Sequence, residues 1–275
     1  MMLDIKDPEN FGHLKEKINE NIDFNIDQYT DTFLSRRFEV RIRANNLNSY
    51  SDYLKVFLNS PEEKEKLNKE LAIHVTNFLR DASMWSFFQE KVIPDLIKKK
   101  NEKGNKKIRI WSAGCSTGEE PLSIAICFFE ALGNDLRGFE IEILGTDVDA
   151  KTIERAKEAK YEEIQFREMG PELKKKYFDD IGEGLLIPKD DIRKLTEYRV
   201  LDLFSPNKPS NFDIIFCRNT VIYFNLEAKS RLYEEFFHLL NDYGFFIMGK
   251  TEIMQGKARE MFKIFDSKER IYHKE

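Results

Sequence analysis

The residues best suited to do chemistry stand together in Ala113-Gly114-Cys115-Ser116-Thr117-Gly118-Glu119-Glu120-Pro121. Small residues around Gly114 and Gly118 let a backbone turn tightly, and Glu119 and Glu120 place two carboxylates where the next element begins. The spacing is GxxxG. It is neither the GxGxxG dinucleotide fingerprint nor a P-loop, because no lysine follows the second glycine. Both of those motifs hold phosphate at a helix N-terminus, a position from which two carboxylates would repel it. The loop alone reads either as an ordinary βα turn with a charged first helical turn or as a site that favours a cationic ligand. S-adenosylmethionine fits, having an adenosine without phosphate, a sulfonium charge, and an ammonium that a carboxylate can pair with.

Two other groups of residues carry chemical meaning. Asp147 ends the apolar run Ile141–Thr146, and an acid at the end of the second strand of a doubly wound sheet accepts hydrogen bonds from vicinal ribose hydroxyls. Capping the following helix is the alternative, open to Asp149 as well. Arg36, Arg37, Arg41 and Arg43 surround a single Glu39. That basic stretch reads either as a solvated face or as a docking surface for something acidic.

The elements that must position these groups follow from periodicity. Ile108, Ile110 and Trp111 form a short buried strand before the glycine loop. Thr117 and Glu120 have capping-box spacing, Pro121 suits a first turn, and Leu122, Ala125, Ile126 and Phe129 recur at helical spacing up to Gly133. Further strands are expected at Ile141–Thr146, Tyr198–Leu203, Phe212–Cys217 and Phe245–Met248, with two short ones around Asp266–Lys268 and a helix over Leu226–Leu240. Between them, Tyr161–Glu197 breaks the rhythm with Gly182, Gly184 and Pro188, as a small antiparallel insertion does. Upstream, the first 20 or so residues read as frayed or loosely helical, Asn48–Leu58 as a short helix, and Pro61–Glu70 as a charged helical linker. His74 onward reads as a helix carrying Trp85, Phe88 and Val92 and ending at Pro94. The lysines at 98–100, 103, 106 and 107 read as an exposed connection.

Composition narrows the class. The 275 residues are 41% hydrophobic with 23 Phe, enough for a substantial core, and the net charge of −5 gives no global basic field for nucleic acid. Cys115, Cys127 and Cys217 are too few and too scattered for a disulfide framework or a metal motif; they read as reduced and buried, and no metal is expected. No signal peptide is evident, and no apolar run nears the roughly 18 residues that span a bilayer. A cytoplasmic location without membrane insertion is expected.

Five segments, in order, carry a resemblance: RRFEVRIR at Arg36–Arg43, TNFLRD at Thr76–Asp81, WSAGCSTGEEPLSIA at Trp111–Ala125, GTDVD at Gly145–Asp149 and FCRNTVIYF at Phe216–Phe224. The combination resembles the chemotaxis receptor methyltransferases, the CheR family, from about Tyr29 to the end of the chain. The resemblance implies an α/β fold: a Rossmann-like class I S-adenosylmethionine methyltransferase sheet with a terminal antiparallel hairpin and an inserted small β-subdomain, preceded by a small all-helical N-terminal domain. The expected boundaries are 1–82 for the helical docking domain with its linker helix and 83–275 for the methyltransferase domain, the insertion spanning about 162–197.

The function so implied is methyl transfer from S-adenosylmethionine, leaving S-adenosylhomocysteine, to the γ-carboxylate of glutamates on the cytoplasmic helices of chemoreceptors. Carried over by motif, Thr76, Arg80 and Glu119 would contact the cofactor, Asp147 would hold the ribose, Asp202 and Leu203 would flank the adenine, and Arg218 and Asn219 would close the site. Arg80 and Tyr223 would position the substrate, the alternatives being an ion pair within the cofactor domain for Arg80 and a core aromatic for Tyr223, and Arg37, Arg41 and Arg43 would dock the acidic receptor helix. A monomer recruited from the cytoplasm to receptor arrays is implied, with no nucleic-acid partner. The chain departs from the family at His74, which replaces a common Asn and is assigned no contact, and at Asp202, which is Asn in some members. The glycine stretch Asp180–Gly184 is shorter than in members that tether to a receptor's C-terminal peptide, so no tether is expected. The rival readings are a methyltransferase with another substrate and a non-catalytic S-adenosylmethionine sensor or scaffold. A glutamate is already ionised at neutral pH, so its methylation needs positioning and desolvation rather than a general base.

Overall fold

The computed structural model describes residues 8–22, 25–71 and 76–275; His74 lies outside them. The chain divides into two compact units, Met1–Ile73 with Tyr223–Lys229, and His74–Ile222 with Ser230–Glu275.

The first unit is helical, with α1 (Pro8–Asn21), α2 (Asp31–Ala44), α3 (Tyr50–Asn59) and α4 (Pro61–Leu71). Thr30 and Ser49 cap α2 and α3 with side-chain oxygens that accept from Phe33 and Asp52 N–H. Leu14 and Ile18 of α1 are fully buried with Leu34, Phe38, Tyr53, Phe57 and Leu67, so the N-terminal residues from Pro8 form a packed helix. Nor is Pro61–Glu70 a linker. Glu63, Leu67 and Leu71 recur on one face of α4 and are all buried, the carboxylate being accommodated because Arg41 of α2 meets it.

The second unit begins irregularly. Thr76–Arg80 is not helical; Leu79 (φ 52°) and Asp81 (φ 68°) are left-handed, and α5 starts only at Ala82 and runs to Phe87. One π-helical turn, Phe88–Val92, leads into α6 (Ile93–Glu102). Pro94 therefore does not end the helix. The wide turn, closed by Ile93 N–H to Phe88 O, resets the hydrogen-bond ladder and puts Pro94 in the first turn of a new segment, where a missing N–H costs nothing. On α6, Lys100 is not part of an exposed connection. Its side chain is buried, pairing with Asp213 at 2.7 Å and donating to Lys107 O at 2.6 Å.

A seven-stranded sheet follows, made of β1 (Lys107–Ala113), β2 (Glu140–Asp147), β6 (Thr196–Val200), β7 (Phe212–Cys217), β8 (Leu240–Met248), β9 (Lys263–Asp266) and β10 (Ile271–His273), in the order β6-β2-β1-β7-β8-β10-β9. The first five are parallel; β10 is antiparallel to both β8 and β9. This is a Rossmann-like sheet closed by a terminal antiparallel hairpin. The strand β6 ends at Val200, short of the expected Leu203: Leu201 N–H still reaches Asp147 O, after which the chain leaves the sheet. The remaining strands, β3 (Tyr161–Glu162), β4 (Phe178–Gly182) and β5 (Leu185–Pro188), form the antiparallel insertion in the order β3-β5-β4. Phe78, Tyr161, Phe166 and Phe178 stack edge and face beneath it.

Helix α7 (Glu119–Leu132) packs Leu122, Ile126 and Phe128 against Ile108, Ile110, Ile214 and Phe216 of the sheet, all essentially fully buried. Sequence order reverses at β1, with β2 on one side and β7 on the other. In open parallel sheets a crevice opens outside the carboxyl ends of the strands at such a reversal, and ligands bind there.

Candidate active site

The crevice is built from the loops after β1, β2 and β7. Gly114 and Cys115 N–H both donate to Thr146 O at 2.8 Å, and Ser116 N–H donates to an Asp147 oxygen at 3.0 Å, so the glycine loop is tied to the end of β2. The other Asp147 oxygen accepts from Asp149 N–H at 3.1 Å, while Asp149 itself caps the helix that follows, Ala150–Glu158. The two aspartates thus divide the tasks. Gly114 has φ +82°, and a Cβ there would lie 2.3 Å from Thr220 Oγ1, so the loop can approach the end of β7 only with glycine.

The two glutamates part company. Thr117 and Glu120 do not form a capping box, since Gly118 (φ +95°) precedes α7 without a side-chain cap. Glu119 is fully buried; its carboxylate accepts from Thr117 Oγ1 at 2.7 and 2.9 Å and from Gln165 Nε2, which belongs to the insertion. Glu120 turns toward the crevice and keeps 14% side-chain exposure, accepting from Ser112 Oγ at 2.8 Å and Arg218 at 3.2 Å. Burial pushes both carboxyls above their ordinary value, against the pull of Thr117 and Gln165 on Glu119 and of Arg218, Ser112 and Arg80 on Glu120.

Arg218 organises the rest. Its guanidinium, 2% exposed, reaches Asp81 at 2.7 Å, Arg80 O at 2.9 Å and Glu120, and lies 5.4 Å from the centroid of Trp85. Trp85 Nε1 donates to the same Arg80 carbonyl at 2.8 Å. The turn carrying Arg80 is fixed on all sides: Phe78 N–H to Gln165 O, Leu79 N–H to Ser123 Oγ, and Asp81 N–H to Glu168. Thr76 is half-buried just upstream. Asn219, in the left-handed region at φ 58°, follows Arg218. Asp202 and Leu203 begin an irregular segment after β6, where Asp202 accepts from Phe204 N–H at 2.8 Å.

The remaining candidates belong to the helical unit. Tyr223 packs its ring 4.8 Å from Phe33, and its carbonyl accepts from Thr30 N–H. On α2, Arg41 makes a bidentate pair with Glu63 at 2.8 and 2.9 Å, Arg37 pairs with Glu70 and covers the Phe33 ring, and Arg43 is 65% exposed beside Glu39. Arg36 and Val40 are also exposed, and with Arg43 they mark the outer stripe of the helix.

The residues of the crevice fit an adenosine-bearing cation. A half-buried carboxylate ends β2, a second one stands at the start of α7, and no lysine or arginine of the glycine loop offers itself to phosphate. Ser116 Oγ and Arg218 Nε are buried without a hydrogen-bond partner among the described residues, polar atoms that a ligand's own polar groups would satisfy. Burial pushes the thiols of Cys115 and Cys217 well up, which removes both as nucleophiles at neutral pH.

Comparison with known proteins decides the family. Residues 74–271 match the model of the CheR methyltransferase SAM-binding domain, and residues 9–72 match that of the CheR methyltransferase all-alpha domain. The chain belongs to the CheR methyltransferase family. Similar relatives include the chemotaxis protein methyltransferase of Borreliella burgdorferi, 26% identical over 90% of this chain and 89% of that one. Chemotaxis protein methyltransferase 1 of Pseudomonas aeruginosa is 32% identical over 70% of each chain, and the Listeria innocua protein 28% identical over 86% of each. This CheR-family chain is accordingly an S-adenosylmethionine-dependent methyltransferase of chemotaxis. No helix among its described residues is long and apolar enough to cross a membrane.

Sequence reasoning names Glu119 and Glu120 as the carboxylates of the loop and carries only Glu119 over as a cofactor contact; it misses Ser112 and Asp81. The missed signal lay in Arg218: a buried arginine in the motif demands more than one acidic partner, and Asp81 and Glu120 both stand in motifs already singled out.

Proposed function

We propose that this CheR-family enzyme transfers the methyl group of S-adenosylmethionine to the γ-carboxylate of glutamates on the cytoplasmic helices of chemoreceptors, forming glutamyl methyl esters. The observation that carries the reading is the Arg218 constellation, in which one buried guanidinium joins the Arg80 turn, Glu120 and the end of β7 at the sheet's switch point. When bound, S-adenosylmethionine supplies an electrophilic methyl on a sulfonium. Asp147 holds the ribose hydroxyls, Asp202 and Leu203 flank the adenine, and Thr76, Arg218 and Asn219 line the methionine part. Of the two glutamates of the loop, Glu120 takes the ammonium.

Arg80 presents a guanidinium to the incoming glutamate. The substrate carboxylate oxygen forms the new O–CH3 bond while the S–CH3 pair returns to sulfur, leaving S-adenosylhomocysteine; no proton moves. Orientation supplies most of the acceleration, up to about 7–11 kcal/mol in ideal cases. Arg80 must orient without binding so tightly that the nucleophile is quenched.

The helical unit docks the acidic receptor helix. Because Arg41 and Arg37 are drawn inward onto Glu63 and Glu70, while Arg43 stays 65% exposed beside Glu39, the reading rests on Arg43 with its exposed neighbour Arg36. The enzyme acts as a cytoplasmic monomer recruited to receptor arrays, without a nucleic-acid partner. Residues 1–82 serve as the docking domain and 83–275 as the methyltransferase domain.

The test is transfer of labelled methyl from S-adenosylmethionine to a recombinant chemoreceptor cytoplasmic fragment, followed by mild alkali. Label released as methanol supports glutamyl esters. Alkali-stable label points to another acceptor, and absence of label despite cofactor binding points to a sensor.

A further inference from the structure

We propose that Lys208 is a positioning residue for the adenine end of the site, and that its pairing with Glu235 makes helix α11 (Leu226–Leu239) the element that sets purine specificity. The inference rests on the reading in which Asp202 and Leu203 flank the adenine.

The segment between β6 and β7, residues 201–211, has no regular structure. A stretch of that length at a binding edge reads a ligand sharply only if something fixes it. Lys208 does so. Its side chain is 2% exposed, and its ammonium donates to Leu203 O at 2.8 Å and Ser205 O at 2.5 Å and pairs with Glu235 at 2.7 Å. A lysine ammonium has three donors and no acceptor, and here the three have three acceptors. Buried lysines are rare unless paired in this way. The two carbonyl bonds close residues 203–208 into a ring, and the carboxylate anchors that ring to α11.

A second contact lies one turn earlier on the same helix face, where the Arg231 guanidinium covers the Phe204 ring at 5.1 Å. From the ring back to the residue before it, Ser205 N–H donates to Asp202 O at 3.0 Å and Phe204 N–H to the Asp202 carboxylate. The consequence is an Asp202 carboxylate with a fixed direction. Adenine offers a 6-amino donor that such a carboxylate can accept, whereas hypoxanthine offers a 6-oxo acceptor that it repels. With its three donors taken by Leu203 O, Ser205 O and Glu235, Lys208 acts through the direction of Asp202.

The experiment compares calorimetric affinities for S-adenosylhomocysteine and S-inosylhomocysteine in wild type, Lys208→Met and Glu235→Gln, with circular dichroism to establish folding. Wild type is expected to prefer the adenine ligand. Lys208→Met should weaken S-adenosylhomocysteine by about tenfold or more, the scale of losing charge-assisted hydrogen bonds, and change S-inosylhomocysteine little, so the preference shrinks by the same factor. Glu235→Gln, at a partly exposed surface position, should move the ratio in the same direction by less and keeps the test valid if Lys208→Met fails to fold. Equal loss for both ligands, or an unchanged ratio, makes Lys208 merely structural and overturns the proposal. Failure of wild type to bind either ligand overturns the cofactor reading itself, and the proposal with it.

Discussion

Replacing Glu120 by Gln isolates the role of its charge while keeping its shape and its ability to accept from Ser112. In the free protein, burial raises the Glu120 carboxyl above the ordinary carboxylate value, the opposing influence of Arg218 and Ser112 notwithstanding. A ligand ammonium beside it favours the ionised form, so binding lowers that pKa and releases a proton. The sign follows: affinity for S-adenosylhomocysteine should rise with pH from the ordinary carboxylate range up to the raised value and then level off. In Glu120→Gln the profile from this group should be flat, and the gap between variant and wild type should narrow toward acid. A hydrogen bond to a charged group contributes about 1.5–3 kcal/mol, so the variant should bind roughly 10- to 150-fold more weakly at neutral pH. Isothermal titration between about pH 5 and pH 8 measures all of this, Glu119→Gln serving as the comparison. Equal affinity of Glu120→Gln and wild type, or a pH profile that survives in the variant, would refute the assignment of the ammonium to Glu120.

Arg41→Ala leaves the Glu63 carboxylate, 4% exposed, with Tyr53 but no cation, and should lower the urea stability of the helical unit toward the low end of the ~3–5 kcal/mol seen when buried pairs are broken. Burial raises the Glu63 pKa, but hydrogen bonds from Arg41, Asn45 and Tyr53 outweigh it and the net shift is downward. The pair's stability is therefore present above the ordinary carboxylate pKa and lost as pH falls through the depressed one, an acid-side loss that urea titrations of the variant should no longer show. Arg36→Glu with Arg43→Glu should leave melting and cofactor affinity unchanged while slowing methylation of a receptor fragment, most at low salt; equal rates at low salt would remove α2 from docking. Gly114→Ala should lower thermal stability by at least about 1 kcal/mol through its positive φ and the Thr220 contact; adding Thr220→Ala should return part of the loss in a differential scanning trace, and no recovery would mean that strain in the backbone alone is responsible.

What the sequence made legible was whatever is decided locally. Gly114 and Gly118 announce left-handed backbone because no other residue adopts it so easily, and the apolar runs at Ile108, Ile141 and Phe212 announce buried parallel strands through their own composition. Charge partners were not legible, because they are settled by residues far along the chain. Glu119 and Glu120 are adjacent, and which of them faces the crevice depends on Gln165 and Arg218. Arg41 and Arg43 differ only in helix phase, and Glu63 of another helix takes one of them inward. Lys100 looks like its exposed neighbours until Asp213 and the Lys107 carbonyl reach it.

The start of α5 was misread for a deeper reason. Helical propensity favours continuing Phe78-Leu79-Arg80-Asp81 into Ala82, yet Leu79 and Asp81 both take φ above +50°, conformations that cost of order 1–3 kcal/mol each for such residues. Their N–H groups are held by Ser123 of α7 and Glu168 of the insertion, and the Arg80 carbonyl between them by Trp85 and Arg218. A turn strained on both sides of one arginine, and secured from three separate elements, is maintained by the rest of the fold against its own local preference. No reading of the segment alone could anticipate it, since the bonds from Ser123, Glu168 and Arg218 come from positions 44 to 138 residues away. The same bonds tie the insertion to this turn, Gln165 O holding Phe78 N–H and Glu168 holding Asp81 N–H.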